Sequence, residues 1–324
     1  MAKAIRIHQT GGPEVLKWED IDVPPPGQGE VRIRHTAVGL NFIDTYHRSG
    51  LYPVLLPTVI GSEGAGVVEA VGPGVTDLKP GDRVAYGNAP IGSYAEVRNI
   101  PAGRLVKIPD GISDQQAASM MLKGMTAQYL LRRTYRVQKG ETILVHAAAG
   151  GVGLILVQWA KHLGATVIGT VGSKDKAEIA KAHGCDHVIL YRETKFVDEV
   201  KRITGGAGVS VVYDGVGKDT FMDSLDCLRP LGYMVYYGNA SGAVPPFNLL
   251  TLAQKGSLYV TRPTLATYVA KREDLVATAN DLFDVVKSGA VKIEINQTYP
   301  LKDAAQAHRD LESRKTTGTT VLLP

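Results

Sequence analysis

The chain has 324 residues, enough for two domains at about 150 residues each. Apolar residues make up 44% and charged residues 21%, so a core can be buried and wholesale disorder is excluded. The only two cysteines, Cys185 and Cys227, exclude a disulfide scaffold or four-thiolate metal site, and the net charge of +4 (36 basic, 32 acidic) is dispersed without like-charge runs.

The N-terminus through Val15 carries charges and Gly11-Gly12-Pro13 but no apolar run, so it does not read as a signal peptide. Residues 1–110 read as strands and turns. Val31-Arg32-Ile33-Arg34 alternates with period two, as a half-buried strand does. Turn chemistry punctuates the region at Pro24-Pro25-Pro26-Gly27, Gly72-Pro73-Gly74, Lys79-Pro80-Gly81-Asp82 and Pro109-Asp110-Gly111. The texture changes at Ser113, where Ser113-x-x-Gln116 forms a capping box ahead of an apolar helix start. A second helix is expected from Thr126.

Beyond Glu141 strands and helices alternate. The expected strands are 142–146, 166–171, 188–190, 209–213 and 233–237, with helices at 152–163, 174–183, 196–203 and 219–228. Such alternation is the sequence sign of a doubly wound parallel sheet, so the fold class is α/β. The longest apolar stretch, 152–163, contains Gln158, Lys161 and His162 and is too short to cross a bilayer. No membrane role is expected, and a cytoplasmic location is. From about Leu265 come two helical stretches, a strand near 291–295 and a final strand at 319–323, which should return to the first domain.

The sharpest motif is Val145-His146-Ala147-Ala148-Ala149-Gly150-Gly151-Val152-Gly153, set between strand and helix. Glycines there let backbone N–H groups approach a pyrophosphate at a helix N-terminus, and the bland alternative is a tight turn. The spacing departs from G-x-G-x-x-G, because Ala147 and Ala148 precede the glycine pair. About 20 residues on, an NAD site usually places an acid for the ribose hydroxyl. This chain has Ser173-Lys174-Asp175-Lys176 instead, a hydroxyl and two lysines around one acid. The balance favours NADP(H), although Lys174 also suits a solvated helix start.

Further stretches carry a resemblance. They include Gly12-Pro13-Glu14-Val15-Leu16, Asn41-Phe42-Ile43-Asp44-Thr45-Tyr46, Arg48-Ser49-Gly50-Leu51-Tyr52-Pro53 and Gly61-Ser62-Glu63-Gly64-Ala65-Gly66. Gly81-Asp82-Arg83-Val84, Lys123-Gly124-Met125-Thr126-Ala127, Val212-Tyr213-Asp214 and Gly256-Ser257-Leu258-Tyr259-Val260-Thr261-Arg262-Pro263 extend it end to end. The chain resembles the zinc-free quinone oxidoreductase (zeta-crystallin-like) branch of the medium-chain dehydrogenase/reductase superfamily, especially its bacterial NADPH-dependent members.

The resemblance implies a GroES-like, mostly-β catalytic domain (1–122 and 265–324) and a Rossmann NADP(H)-binding domain (123–264), with the cofactor in the cleft between them. It places Asn41, Phe42, Asp44, Tyr46, Lys123 and Thr126 at the nicotinamide half. Gly150, Gly151, Val152 and Gly153 would cradle the pyrophosphate, Ser173 and Lys176 the 2′-phosphate, and Tyr191 the adenosine. Gly238, Asn239 and Ser241 would lie at the nicotinamide end, with Thr264 and Arg314 closing over the cofactor. It also implies a homodimer through an edge strand that opens at Ser257 and closes at Thr261.

Residues 1–122 contain no cysteine, and Gly61-Ser62-Glu63 stands where the zinc branch has Gly-His-Glu. No metal is therefore expected, and reduction would rest on the cofactor and a shielded slot. Tyr46 and Tyr52 are candidates to hydrogen-bond a substrate oxygen, and Asn41 to orient it; packing and cofactor contact account for all three equally well. The expected activity is metal-free, NADPH-dependent quinone reduction. Alternatives are a double-bond reductase of alkenals or enones, and a non-catalytic NADPH-binding protein with crystallin-like or RNA-associated duties. The lack of a basic patch interleaved with aromatics argues against nucleic acid.

Overall fold

The structure, a computed structural model, describes residues 1–324. In chain order it begins with β1 (Ala2–Ile7), β2 (Lys17–Ile21), β3 (Glu30–Leu40), α1 (Phe42–Ser49), β4 (Thr58–Val59), β5 (Glu63–Val71), β6 (Arg83–Gly87), β7 (Val97–Pro101), β8 (Val106–Lys107) and α2 (Asp114–Tyr129). The alternating half follows: β9 (Thr142–Val145), α3 (Gly151–His162), β10 (Thr166–Val171), α4 (Lys174–Ala182), β11 (His187–Leu190), α5 (Phe196–Ile203), β12 (Val209–Asp214), α6 (Phe221–Leu225), β13 (Leu228–Tyr236), α7 (Leu250–Gln254) and β14 (Tyr259–Thr261). The chain ends with α8 (Leu265–Tyr268), α9 (Arg272–Lys287), β15 (Ile295–Pro300), α10 (Ala304–Glu312) and β16 (Thr319–Leu323).

Two units result. The first comprises Met1–Met125, Tyr268–Lys287 and Ile293–Pro324; the second comprises Thr126–Thr267 and Ser288–Lys292. The last segment departs from the expected division. Lys292 donates its N–H to Gln158 Oε1 at 2.9 Å, which ties 288–292 to α3 and displaces the expected 291–295 strand to β15.

In the first unit, β3 buries Val31 and Ile33 while Arg34 faces solvent, as the period-two pattern requires. The strand pairs antiparallel with β5, β7 and β16. The chain's C-terminal strand thus returns to this sheet, and Leu301 and Leu322 complete a core with Ile5, Ile7, Val38 and Tyr94. The capping box forms as read: Gln116 N–H donates to Ser113 Oγ at 3.1 Å, and Ser113 N–H to Gln116 Oε1 at 3.0 Å. The expected break before Thr126 does not occur. α2 runs unbroken through Gly124, where a Cβ would lie 2.5 Å from Leu282 Cδ1; the glycine lets α9 approach and does not stop the helix.

The second unit is a six-stranded parallel sheet in the order β11-β10-β9-β12-β13-β14. The order reverses between β9 and β12, so the loops leaving these strands flank a topological switch point, where ligands bind in such sheets. Leu144, Ile168, Val212 and Met234 fill the core under the sheet. α6 is shorter than expected. Asp219 N–H is held by Ser241 Oγ and Leu228 already belongs to β13, which leaves Phe221–Leu225 for the helix.

Candidate active site

At the end of β9 the His146 backbone N–H donates to the Tyr213 carbonyl at 3.0 Å, which sets the phosphate loop beside β12. The buried His146 ring lies 2.8 Å from Thr170 Oγ1 and 2.8 Å from Ser224 Oγ. The Ser224 hydroxyl donates to the Thr220 carbonyl, so it accepts from His146 Nε2–H, and Nδ1 accepts from Thr170. Burial lowers the pKa of His146 and keeps this ring neutral.

Above it, Ala147 turns through φ 53° and Ala148 N–H donates to the Thr170 carbonyl at 3.1 Å. Gly150 stands at the N-cap of α3, and no side chain caps the helix. The first-turn N–H groups of Gly151, Val152 and Gly153 lack intrahelical acceptors and carry the positive end of the dipole. A Cβ at Gly153 would lie 2.9 Å from Ala148 Cα and fall on the Ala147 carbonyl, so only glycine closes this turn against the helix. This geometry fits a pyrophosphate.

At the end of β10, Ser173 caps α4 by accepting the Lys176 N–H at 3.4 Å, and Lys176 is half-buried. Tyr191 lies against Gly172, where a Cβ would meet its hydroxyl at 2.9 Å. Lys174 and Asp175 are exposed in the first turn of α4. A hydroxyl, a helix start and two lysines suit a 2′-phosphate. The donor set therefore fits NADP(H).

After β12, the buried Asp214 carboxylate accepts from Val216 N–H at 2.7 Å, Gly217 N–H at 3.1 Å and the Thr220 hydroxyl at 2.8 Å. Gly238 packs on the Gly215 backbone, and Asn239 accepts from the Tyr236 hydroxyl. Ser241 is half-buried where the loops after β12 and β13 meet. Its hydroxyl donates to the Val216 carbonyl at 2.9 Å and accepts from Asp219 N–H at 3.0 Å, so it joins the two loops and holds their shape. Thr264 is exposed in the second unit beside Thr267, and Arg314 is exposed in the first unit at φ 60°.

In the first unit, Asn41 precedes α1 and meets two buried carboxylates. Its backbone N–H donates to Asp44 Oδ2 at 2.9 Å and its side-chain Nδ2 to Glu63 Oε2 at 2.8 Å. Lys123 Nζ donates to the same Glu63 oxygen at 2.8 Å, and Leu122 N–H to Oε1 at 2.8 Å. Thr126 follows Lys123 by about one helical turn and is nearly buried. Beside them on α1, the Phe42 and Tyr46 rings lie 6.5 Å apart, and Tyr46 meets Tyr52 edge-on at 5.2 Å.

Asp44 needs correction as a cofactor contact. It has no exposed surface and also accepts from the Ser62 hydroxyl at 3.0 Å and the Tyr94 hydroxyl at 3.1 Å. Tyr94 in turn accepts from His308 Nε2 at 3.0 Å, His308 Nδ1 accepts from Arg48 at 2.9 Å, and Arg48 pairs with Glu312 at 2.7 Å. Asp44 anchors α1 to α10 and cannot touch a cofactor. Burial raises its pKa to about 7 against the pull of its donors, and burial lowers His308 to about 3. Sequence reasoning missed Tyr94, His308, Arg48 and Glu63 as a connected group. Only Glu63 had a local signal, its place in Gly61-Ser62-Glu63.

Two family models match: the alcohol dehydrogenase GroES-like domain over residues 27–110 and zinc-binding dehydrogenase over residues 151–279. The zinc of the second description does not fit this chain. Ser62 spends its hydroxyl on Asp44, Glu63 is held by an ammonium and two N–H donors, and both cysteines are buried in the second unit with thiols pushed up to about 12. Among curated relatives, a quinone oxidoreductase of Pseudomonas aeruginosa is 55% identical over 100% of both chains. A 2-haloacrylate reductase of Burkholderia sp is 49% identical over 100% of this chain and 99% of its own. A crystal structure of Escherichia coli quinone oxidoreductase complexed with NADPH superposes with a TM-score of 0.98 at 51% identity, covering 100% of both chains. The chain belongs to the quinone oxidoreductase branch of the medium-chain dehydrogenase/reductase superfamily.

Proposed function

We propose that the protein is an enzyme that reduces quinones with NADPH. The observation that carries this reading is the uncapped, glycine-closed start of α3 together with Ser173 and Lys176 at the end of β10, in a chain of the quinone oxidoreductase branch. The Escherichia coli relative that superposes on this chain was crystallised with NADPH, which supports the same cofactor here.

In this reading Gly151, Val152 and Gly153 donate N–H groups to the pyrophosphate, while Gly150, its own N–H on the Ala147 carbonyl at 2.8 Å, shapes the cradle; Ser173 hydrogen-bonds the 2′-phosphate, Lys176 neutralises it and Tyr191 packs by the adenosine. Gly238, Asn239 and Ser241 flank the nicotinamide end. Asn41, Phe42, Tyr46 and Lys123 of the first unit and Thr126 of the second act on the nicotinamide half. Thr264 and Arg314 are assigned to the cofactor on the resemblance alone. Bound NADPH supplies the reducing equivalents. Tyr46 and Tyr52 offer hydroxyls to a quinone oxygen beside an aromatic wall, which orients a flat, electron-poor acceptor and excludes water. At the zinc branch's motif Ser62 spends its hydroxyl on Asp44, and Glu63 is taken up by Asn41, Leu122 and Lys123, so the acceptor is reduced without a metal.

We also place the homodimer contact at β14. This strand ends the sheet order and exposes Tyr259 and Val260, a row of unpaired backbone groups suited to a second copy. No helix is long and apolar enough to cross a membrane. A cytoplasmic enzyme acting on small quinones is the fuller reading.

The test is NADPH oxidation with 1,4-benzoquinone, run with and without chelator and beside an enone and 2-chloroacrylate. Turnover with the quinone that resists chelation supports the assignment. Faster turnover of the enone or haloacrylate would move it to double-bond reduction, the activity for which the Burkholderia relative is named. Tight NADPH binding without turnover on any acceptor would leave a binding protein.

A further inference from the structure

We infer that Glu63 is a positioning residue, acting through Asn41 and Lys123 to set the affinity for the nicotinamide half of NADPH. The inference rests on the reading above, in which those two side chains act on that half.

Glu63 has no exposed surface, so it cannot touch a ligand itself. Its Oε1 is anchored to backbone by Leu122 N–H at 2.8 Å, and its Oε2 accepts from both Lys123 Nζ and Asn41 Nδ2 at 2.8 Å. The backbone anchor fixes the carboxylate, and the carboxylate fixes two long-range partners, 22 residues away at Asn41 and 60 at Lys123. Asn41 is held from the other side as well, since its own N–H is bound by Asp44. A Cβ on Gly39 would fall on the Glu63 carboxylate and the Ala118 carbonyl, so the strand before Asn41 closes tightly over the acid.

The charge balance explains why a carboxylate is needed. A charge as buried as the Lys123 ammonium is costly without an opposite charge beside it, and the amide of Asn41 keeps one orientation only if its amino group has an acceptor. Glu63 supplies both with one oxygen. Glutamine at this position has one acceptor atom for three donors on two sides, so at least one partner is released.

The experiment compares Glu63→Gln with wild type in two binding titrations of the whole protein, one with NADPH and one with 2′,5′-ADP, which lacks the nicotinamide half. The expected result is a Kd for NADPH raised by about tenfold or more, the scale of a lost hydrogen bond to a charged group, with the Kd for 2′,5′-ADP unchanged. In an Asn41→Ala background the same substitution should weaken NADPH less than it does in wild type, because the shared route is already cut. Equal affinity of wild type and Glu63→Gln for NADPH overturns the inference. So does an equal loss for both ligands, which would mark a general structural defect. Should Glu63→Gln fail to fold, the pair Glu63→Gln with Lys123→Met removes both charges and leaves neither buried alone. It must show the same split between the two ligands. If wild type itself fails to bind NADPH, the functional reading falls, and that outcome differs from a failure of Glu63 alone.

Discussion

The phosphate loop of the second unit and the buried polar group of the first are built in opposite ways. The loop is made of backbone: Gly151 to Gly153 offer N–H groups, and the one demand on side chains is that Gly153 have none. The group around Asp44 and Glu63 is made of side chains from distant parts of the chain, with Tyr94 and His308 separated by 214 residues. A backbone site is fixed by neighbours in sequence and tolerates no added atom. A side-chain site is fixed by partners that only the fold brings near, and it depends on charge and protonation.

The strongest way to break this contrast is Gly153→Val. Its side chain must displace the Ala147 carbonyl and the Ala148 backbone, so we expect a loss above about 3 kcal/mol in chemical denaturation together with loss of NADPH binding. Normal stability and binding in this variant would mean the loop can yield.

The side-chain group is tested by pH. The folded pKa of Asp44 is raised to about 7 from 3.8, so its contribution is fully present below 3.8 and is lost as pH rises through 7. The folded pKa of His308 is lowered to about 3 from 6.5, so its contribution is present above 6.5 and is lost as pH falls through 3. Between roughly pH 4 and 6.5 the two slopes oppose each other. Asp44→Asn removes the first, and stability should then fall on acidification more steeply by about 1.4 kcal/mol per pH unit. Parallel wild-type and variant curves across that window would show that Asp44 does not titrate there.

A smaller effect sharpens the comparison within the second unit. Lys176→Ala should weaken NADPH about tenfold more than NADH, since one charge-assisted contact is lost to one ligand alone. Equal losses would show that Lys176 does not read the 2′-phosphate. The mildest expectation is Ser113→Ala. The exposed capping box is worth about 1 kcal/mol, seen as a small drop in Tm with cofactor affinity unaltered.

Local physics made much of the fold readable. β10 and α5 have the expected bounds, and the Ser113 box caps α2 as its spacing demands. The errors fell where a distant partner overrode a local signal. The second helix expected from Thr126 is part of α2, which runs through Gly124 with Leu282 packed on it, and the strand expected at 291–295 gave way to the grip of Gln158 on Lys292. Asp44 looked like a ligand contact by resemblance, yet it is fully buried and spends its carboxylate inside the protein.

The sequence by itself determined the parallel sheet, the backbone phosphate loop and the lack of cysteine in the catalytic half, because periodicity, glycine placement and residue inventory are local properties. Tertiary structure alone decided which buried acid holds which donor. A carboxylate in the interior must find its hydrogen bonds wherever the fold places them. For Glu63 that meant Asn41, Leu122 and Lys123, and for Asp44 a chain reaching through Tyr94 and His308 to Arg48.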